Sequence, residues 1–525
     1  MRFLRFLLVL AILLAIAIGV LRLLNPLPDL EGRSNSTRIP VSSETTLGNA
    51  LMTASEAHPG QSGIWPLADG REAYAARILL ARNAEQSIDM QYYIWQTDTT
   101  GWILLDEMRK AAERGVRVRL LLDDNGVPGL DAELAALNAM PNVEVRLFNP
   151  FTLRDPKLLS YVFDFPRLNR RMHNKAMIVD GAATVLGGRN IGDIYFDYGT
   201  GVHYFDADVL AAGPVVGEVS ENFDAYWASR SAYPAELILP EAPGGLDSLM
   251  AHAESARSGA EAAQYDDAIA NTALVQEIEA GTLALEWAEV DFFSDDPSKG
   301  LGEATEDQLL LTRILEIADP RSSFDLVSAY FIPGDAGTEL LTGFAEAGVE
   351  TRVLTNALAA TDVAPVHSAY MTYRDALIDG GVTVLELRPA AERTRELHLS
   401  EMIAGSASSL HAKTFTVDGE RIFVGSFNFD PRSARLNTEM GLLIPSPEMA
   451  AGLAAALDDP ARYYHVERGE RGDLVWIETA EDGERTVLTQ EPETGWFKML
   501  VVRVISWLPV CLLYTSDAAD DLLCV

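Results

Sequence analysis

Two stretches of this chain carry the same polar residues at the same spacing, and that repeat constrains the fold more than any other feature. They are RMHNKAMIVDGAATVLGGRN (171–190) and LHAKTFTVDGERIFVGSFNFD (410–430). His173-x-Lys175 aligns with His411-x-Lys413, and Asp180 and Asp418 each follow the lysine by five positions. Gly187-Gly188-x-Asn190 then aligns with Gly425-Ser426-x-Asn428. Either His-x-Lys alone reads as the rim of a surface strand. Kept over 18 positions in segments 238 residues apart, the pattern marks an internal repeat.

The flanks repeat too. SIDMQYYIW (87–95) predicts a strand, ILLDEMRKAAERG (103–115) an amphipathic helix and VRVRLLLDD (116–124) a second strand. SFDLVSAYFI (323–332), ELLTGFAEAG (339–348) and VETRVLTN (349–356) predict the same order, with Gly115 and Gly348 at the helix C-caps. Strands alternating with helices in both halves predict two duplicated α/β domains, each a sheet sandwiched by helices. With 525 residues, the chain is long enough for two. The expected boundaries are an N-terminal segment at 1–26, a linker at 27–64 and domain 1 at 65–240. A solvated acidic connection follows at 241–312, with 16 acidic residues from Glu241 to Leu310 against only Arg257 and Lys299. Domain 2 is expected at 313–470 and a C-terminal extension at 471–510.

The ends carry membrane signals. Phe6 to Leu21 is unbroken apolar sequence with Arg2 and Arg5 before it and Arg22 after it. As a helix, Phe3 to Leu24 spans about 33 Å, enough to cross a bilayer. A signal segment has the same charged start and apolar centre, so both readings stand. The leading arginines predict a cytoplasmic N-terminus and a body on the outer side of the inner membrane. GWFKMLVVRVISWLPV (495–510) is either an amphipathic membrane-interface segment or a terminal helix docked on the core. Residues 511–525 differ in character from everything before them, hold both cysteines (Cys511 and Cys524) and are read as a non-native tail. The formal charge of −36, from 77 acidic and 41 basic residues, opposes binding to a polyphosphate backbone and places nucleic acid outside the expected partners.

Period two sets the chemistry of the repeat. In an extended segment His173 and Lys175 share a face, as do His411 and Lys413, and the Asp-Gly turns return Asn190 and Asn428 beside them. Two such patches suit a phosphodiester. The lysines neutralise nonbridging oxygens and the asparagines donate to them, while one imidazole attacks phosphorus and the other protonates the leaving oxygen. The motif holds no acidic cluster for a metal and implies no cofactor. Arg167, Arg170 and Arg171 form either a solvated basic turn or a funnel for an anionic headgroup. His367, Tyr370 and Tyr373 either line a lipid cleft or pack a helix against the core.

The pattern HxK, then D, then GGxN or GSxN resembles the phospholipase D superfamily over residues 65 to 465. The flanks PRLNRRMHNK, GGRNIGDIYF and LTNALAATDVAPVHSAY are most similar to its bacterial cardiolipin synthases. The resemblance implies that His173, Lys175, Asn190, His411, Lys413 and Asn428, with Gly188 and Ser426, bind and transfer a phosphatidyl group through a phosphohistidine without a metal. It implies that Asp180 and Asp418 hold the hairpins, and that an acidic residue downstream of each motif orients a histidine. Glu439 fits that role, with Asp208 its expected counterpart and Asp206 the competitor. The implied partners are the membrane and phospholipids, namely phosphatidylglycerol and, as an alternative donor, phosphatidylethanolamine. The chain is expected to be a monomer that forms its own pseudo-dimer, with hydrolysis of phospholipid or nucleic acid as the alternative activity.

Overall fold

A computed structural model describes residues 2–199, 203–259, 262–280, 282–361, 363–389, 409–480, 482–495, 499 and 502. The interface segment expected at 495–510 and the tail at 511–525 lie almost wholly outside the described residues.

Each half is built on one mixed sheet. Six strands of the first sheet run in the order Asp208–Ala212, Ala183–Gly187, Ala176–Val179, Ser87–Tyr92, Arg117–Asp123 and Val143–Phe148. The second sheet repeats that order with Met440–Ile444, Arg421–Gly425, Lys413–Val417, Ser323–Ser328, Glu350–Asn356 and Thr383–Leu387. In both, the last three strands are parallel and joined by helical crossovers, and the hairpin strands run antiparallel to them. The expected helices are found as Thr99–Glu113 and Gly334–Glu346. Gly115 and Gly348 follow them at φ 96° and 89°, a left-handed geometry that glycine adopts without a Cβ clash.

Alternation along the strands explains why the halves dock. Ala176 and Ile178 face one core while Met177 and Val179 face another, one side chain to each side of the sheet. The core that takes Ile178, Leu186 and Val209 also takes Val327, Leu354, Ile422, Val424 and Leu442 of the second half. The two sheets therefore share apolar filling, completed by helices Pro214–Trp227 and Pro447–Leu457. Sheets buried on both faces carry the near-continuous apolar runs AMIV and IFVG.

The acidic stretch expected to be a solvated connection is more ordered than its composition suggests. It forms helices Gly245–Ser258, Ala262–Ala270 and Ala273–Ala280, then gives edge strand Glu286–Ala288 to the first sheet and Asp291–Ser294 to the second. Arg257 of its first helix meets the buried carboxylates Asp106 and Glu107, which anchors that helix to the body. Strands Leu474–Thr479 and Arg485–Leu488 extend the far edge of the second sheet. At the N-terminus, helix Arg2–Leu24 is 23 residues long, an 18-residue stretch of it has a mean hydropathy of 2.9, and none of its residues is buried.

Candidate active site

Each motif histidine stands ahead of its sheet strand, where the chain leaves its own sheet and pairs with the other half. The His173 N–H donates to the Thr438 carbonyl (2.9 Å), and the Thr438 N–H donates to the Arg171 carbonyl (3.0 Å). The His411 N–H donates to the Phe205 carbonyl (2.7 Å), extending a parallel ladder between Tyr204–Phe205 and Ser409–Leu410. The next residue after each accepting carbonyl is an acid. Glu439 Oε2 lies 2.7 Å from His173 Nδ1, and Asp206 Oδ2 lies 2.5 Å from His411 Nδ1. Both pairs are buried and both cross from one half to the other. A carboxylate at Nδ1 keeps a proton there and leaves Nε2 to act, as a lone pair in the neutral ring or as an N–H donor in the imidazolium.

The expectation for Asp208 is corrected here. Sheet register pairs Gly187 with Asp208 and Gly425 with Gly441, so the equivalents two residues earlier are Asp206 and Glu439. Asp208 points into the first half instead. Its carboxylate bonds the buried Arg77 guanidinium at 2.8 Å and the Arg189 N–H at 3.1 Å. Asp206 keeps its charge against burial. Desolvation pushes its carboxyl up, but the Lys413 ammonium and His411 outweigh that and hold it below the usual range.

The remaining motif residues surround the histidines. Lys175 donates to the His173 carbonyl at 2.9 Å and lies over the Tyr93 ring. Lys413 Nζ is 2.7 Å from His411 Nδ1 and 3.7 Å from Asp206 Oδ2. Asn190 accepts from the Ile94 N–H and donates to the Tyr195 hydroxyl at 3.0 Å. Asn428 is fully buried, and neither polar atom of its amide has a hydrogen-bond partner among the described residues. Such an amide is costly unless a ligand bonds it. Gly188 packs against Asp206, where a Cβ would meet Oδ1 at 2.0 Å. At the equivalent position the Ser426 hydroxyl donates to Glu439 Oε2 at 2.6 Å. The Gly/Ser difference between the two motifs thus follows the acid each one faces.

Asp180 and Asp418 sit at the hairpin turns, at φ 52° and 57°. Asp180 accepts from the backbone N–H groups of Glu85, Gln86 and Ser87, and Asp418 from those of Arg321, Ser322 and Ser323. Each thereby ties its turn to the start of a parallel strand, away from the histidines.

Several partners carried no motif signal. Tyr204 stacks on His411 at 4.9 Å, Tyr195 meets its edge at 5.3 Å, and Tyr93 meets the His173 edge at 5.2 Å. The strand ends Asp123 and Asn356 take equivalent posts. Asp123 accepts from the N–H of Met172, and Asn356 from that of Leu410, each the residue before a histidine. Behind Glu439, Asp295 accepts from its N–H and from Lys299, both at 2.8 Å. Burial pushes Asp295 up to about 6, with Lys299 opposing and Glu439 adding to the rise. Period-two placement of such strand ends in a parallel sheet is the one sequence signal that could have flagged Asp123 and Asn356.

Two expected groups lie elsewhere. Arg171 is buried and paired with Asp123 (2.8 Å), and Arg167 bonds Asp164 and the Pro150 carbonyl. Arg170 bonds the Pro166 carbonyl, so the trio forms no open basic funnel. Tyr370 donates to Glu386 in the core, and His367 Nδ1 lies 3.1 Å from the Asn356 carbonyl. Helix Ala364–Asp379 turns both inward, beside a buried Arg374–Glu386 pair, and both side chains are buried among the described residues. Among the described residues no three His, Cys, Asp or Glu side chains are grouped to hold a metal ion.

Two matching half-sites joined across a shared core define a two-repeat enzyme of the phospholipase D type. The chain belongs to the family described as cardiolipin synthase, PLD-like domain, which matches residues 78–227 and 314–459. It is 43% identical over 469 residues to Cardiolipin synthase C of Escherichia coli, covering 88% of this chain and 98% of that protein. A Staphylococcus aureus protein named cardiolipin synthase is 26% identical over 392 residues, covering 74% of this chain and 65% of that protein. Among solved structures, a phosphatidylserine synthase of Haemophilus influenzae shares the fold, with a TM-score of 0.52 at 15% identity over 90% of this chain and 96% of that one. Family and apolar N-terminal helix together associate the protein with membranes and phospholipid chemistry.

Proposed function

We propose that this protein makes cardiolipin by moving a phosphatidyl group onto a hydroxyl of phosphatidylglycerol, through a phosphohistidine and without a metal. The crossed histidine–carboxylate pairs carry this reading. With Glu439 on Nδ1, His173 attacks phosphorus through Nε2, and the bond from phosphorus to the leaving headgroup oxygen breaks. His411 enters as the imidazolium, its Nδ1–H held by Asp206, and gives that oxygen the proton on Nε2. It then takes the proton of the incoming phosphatidylglycerol hydroxyl, whose oxygen displaces His173 from phosphorus. Lys175, Lys413, Asn190 and Asn428 stabilise the charge on the nonbridging oxygens, and the unpartnered Asn428 amide supports this most directly. Phosphatidylglycerol as donor releases glycerol; phosphatidylethanolamine as donor releases ethanolamine. The catalytic body faces the outer side of the inner membrane, a reading supported by Arg2 and Arg5 ahead of the apolar helix.

The test is product analysis of the reconstituted full chain. Phosphatidylglycerol vesicles in excess chelator should yield cardiolipin and glycerol, with neither product from His173→Ala or His411→Ala. Phosphatidic acid as the sole lipid product would make the protein a hydrolase. Activity lost to the chelator and restored by a divalent ion would remove the metal-free mechanism.

A further inference from the structure

Just ahead of the first motif lies a segment with an unusual surface. Residues Lys157–Leu159 form a short 3-10 turn that runs into helix Ser160–Leu168. Its inner side is conventional, with Ser160, Phe163 and Leu168 buried and Tyr161 bonding Asn125. Its outer side consists of Pro156, Leu158, Leu159, Val162, Phe165 and Pro166. Leu158 is 64% exposed, Val162 49%, Leu159 44% and Phe165 40%. No charged residue is exposed from 156 to 166, in a chain whose formal charge is −36. A water-facing helix in so acidic a protein would carry charge on this side.

A second observation says what covers this face. Helix Arg2–Leu24, the apolar helix long enough to cross a bilayer, packs against helix Ser160–Leu168. The positions of the apolar helix that the body half-covers include Ile18 and Leu21, in its last two turns. That is the end from which the chain passes into the folded body, so Ser160–Leu168 lies where the anchor leaves the hydrocarbon. An apolar helix side held there enters the headgroup and acyl boundary, to a depth of roughly 5–10 Å.

From this geometry we infer that the outer side of residues 156–166 is a membrane-docking surface, seated in the lipid interface beside the N-terminal helix. The helix that carries it ends at Leu168, five residues before His173, so docking fixes the first half-site close to the bilayer that supplies its lipid. Long-chain substrate then reaches the site without fully leaving the membrane. The role in substrate delivery rests on the phospholipid transfer proposed above; the docking itself does not.

Two measurements on the full chain separate these. In the first, bimane is attached to Val162→Cys in a chain carrying Cys511→Ser and Cys524→Ser, reconstituted in vesicles whose acyl chains are brominated. Strong quenching at 162 is expected, with little at an exposed control, Glu346→Cys. Equal weak quenching at both positions overturns the docking surface, whatever the enzyme does. In the second, Leu158, Leu159, Val162 and Phe165 are all changed to serine. Turnover of vesicle-embedded phosphatidylglycerol should fall at least about tenfold, while turnover of dispersed short-chain phosphatidylglycerol stays within about twofold. Equal losses on both substrates would make the face structural, and no loss on either would remove its role in delivery. No cardiolipin from wild type on either substrate would refute the transferase reading and leave the quenching result to decide docking.

Discussion

Asp206 and Asp208 stand two residues apart, and the structure assigns them opposite duties that one pair of isosteric variants separates. Asp206→Asn keeps the shape beside Gly188 but replaces the charged acceptor at His411 Nδ1 with an amide. A hydrogen bond to a charged group contributes about 1.5–3 kcal/mol. At about 1.4 kcal/mol per factor of ten, turnover should fall roughly 10- to 150-fold. The loss should appear in kcat, since Asp206 acts through His411. Asp208→Asn instead leaves the Arg77 guanidinium buried without its carboxylate. Removing one partner of a buried pair costs about 3–5 kcal/mol of stability. This variant should melt well below wild type yet turn over normally per folded molecule at low temperature. Phosphatidylglycerol turnover and a thermal melt of each purified variant are sufficient. Full turnover in Asp206→Asn, with kcat lost in a fully folded Asp208→Asn, would refute the register argument and restore Asp208 as the orienting acid.

Other outcomes follow from the same contacts. Gly188→Ala should cut turnover as strongly as Asp206→Asn, because a Cβ 2.0 Å from Oδ1 displaces that carboxylate, whereas Ser426→Ala should cost less than tenfold. Asp180→Asn should lower the melting temperature more than Asp418→Asn, since Asp180 is fully buried and Asp418 only partly; equal shifts would contradict this. Asp295 has a folded pKa of about 6, above its unfolded value, so the folded state binds the extra proton. Its contribution to stability is therefore full below about pH 4 and is lost as pH rises through about 6. Urea titrations of wild type and Asp295→Asn should show that falling component only in wild type.

The duplication and both hairpins were legible because they depend on local spacing. His-x-Lys, Asp-Gly and the returning asparagine are fixed by period two and turn chemistry, and the structure keeps that layout. The crossed pairing was not legible. Glu439 follows Asn428 by 11 residues, but Asp206 follows Asn190 by 16, because a longer connection intervenes in the first half. Reading along the chain therefore favoured Asp208 over Asp206, whereas register against Gly187 selects Asp206. Arg171 misled in another way. Three arginines before a histidine suggest an open basic surface, yet burial of Arg171 depends on Asp123, 48 positions earlier. Composition likewise hid the acidic connection's two edge strands, which are short and pair along the sheet edges with few apolar side chains, Phe293 chief among those buried.

The exchange of acids between halves has a consequence for how the enzyme fails. Each histidine draws its backbone anchor and its carboxylate from the opposite half, so a small slip along the shared core separates four partners at once. Neither sheet need lose a strand for that to happen. On gentle heating or in low denaturant, activity should therefore disappear in one step while both halves stay folded. Turnover thus becomes a gauge of how firmly the two halves are docked, and reversible inactivation a measure of that docking alone.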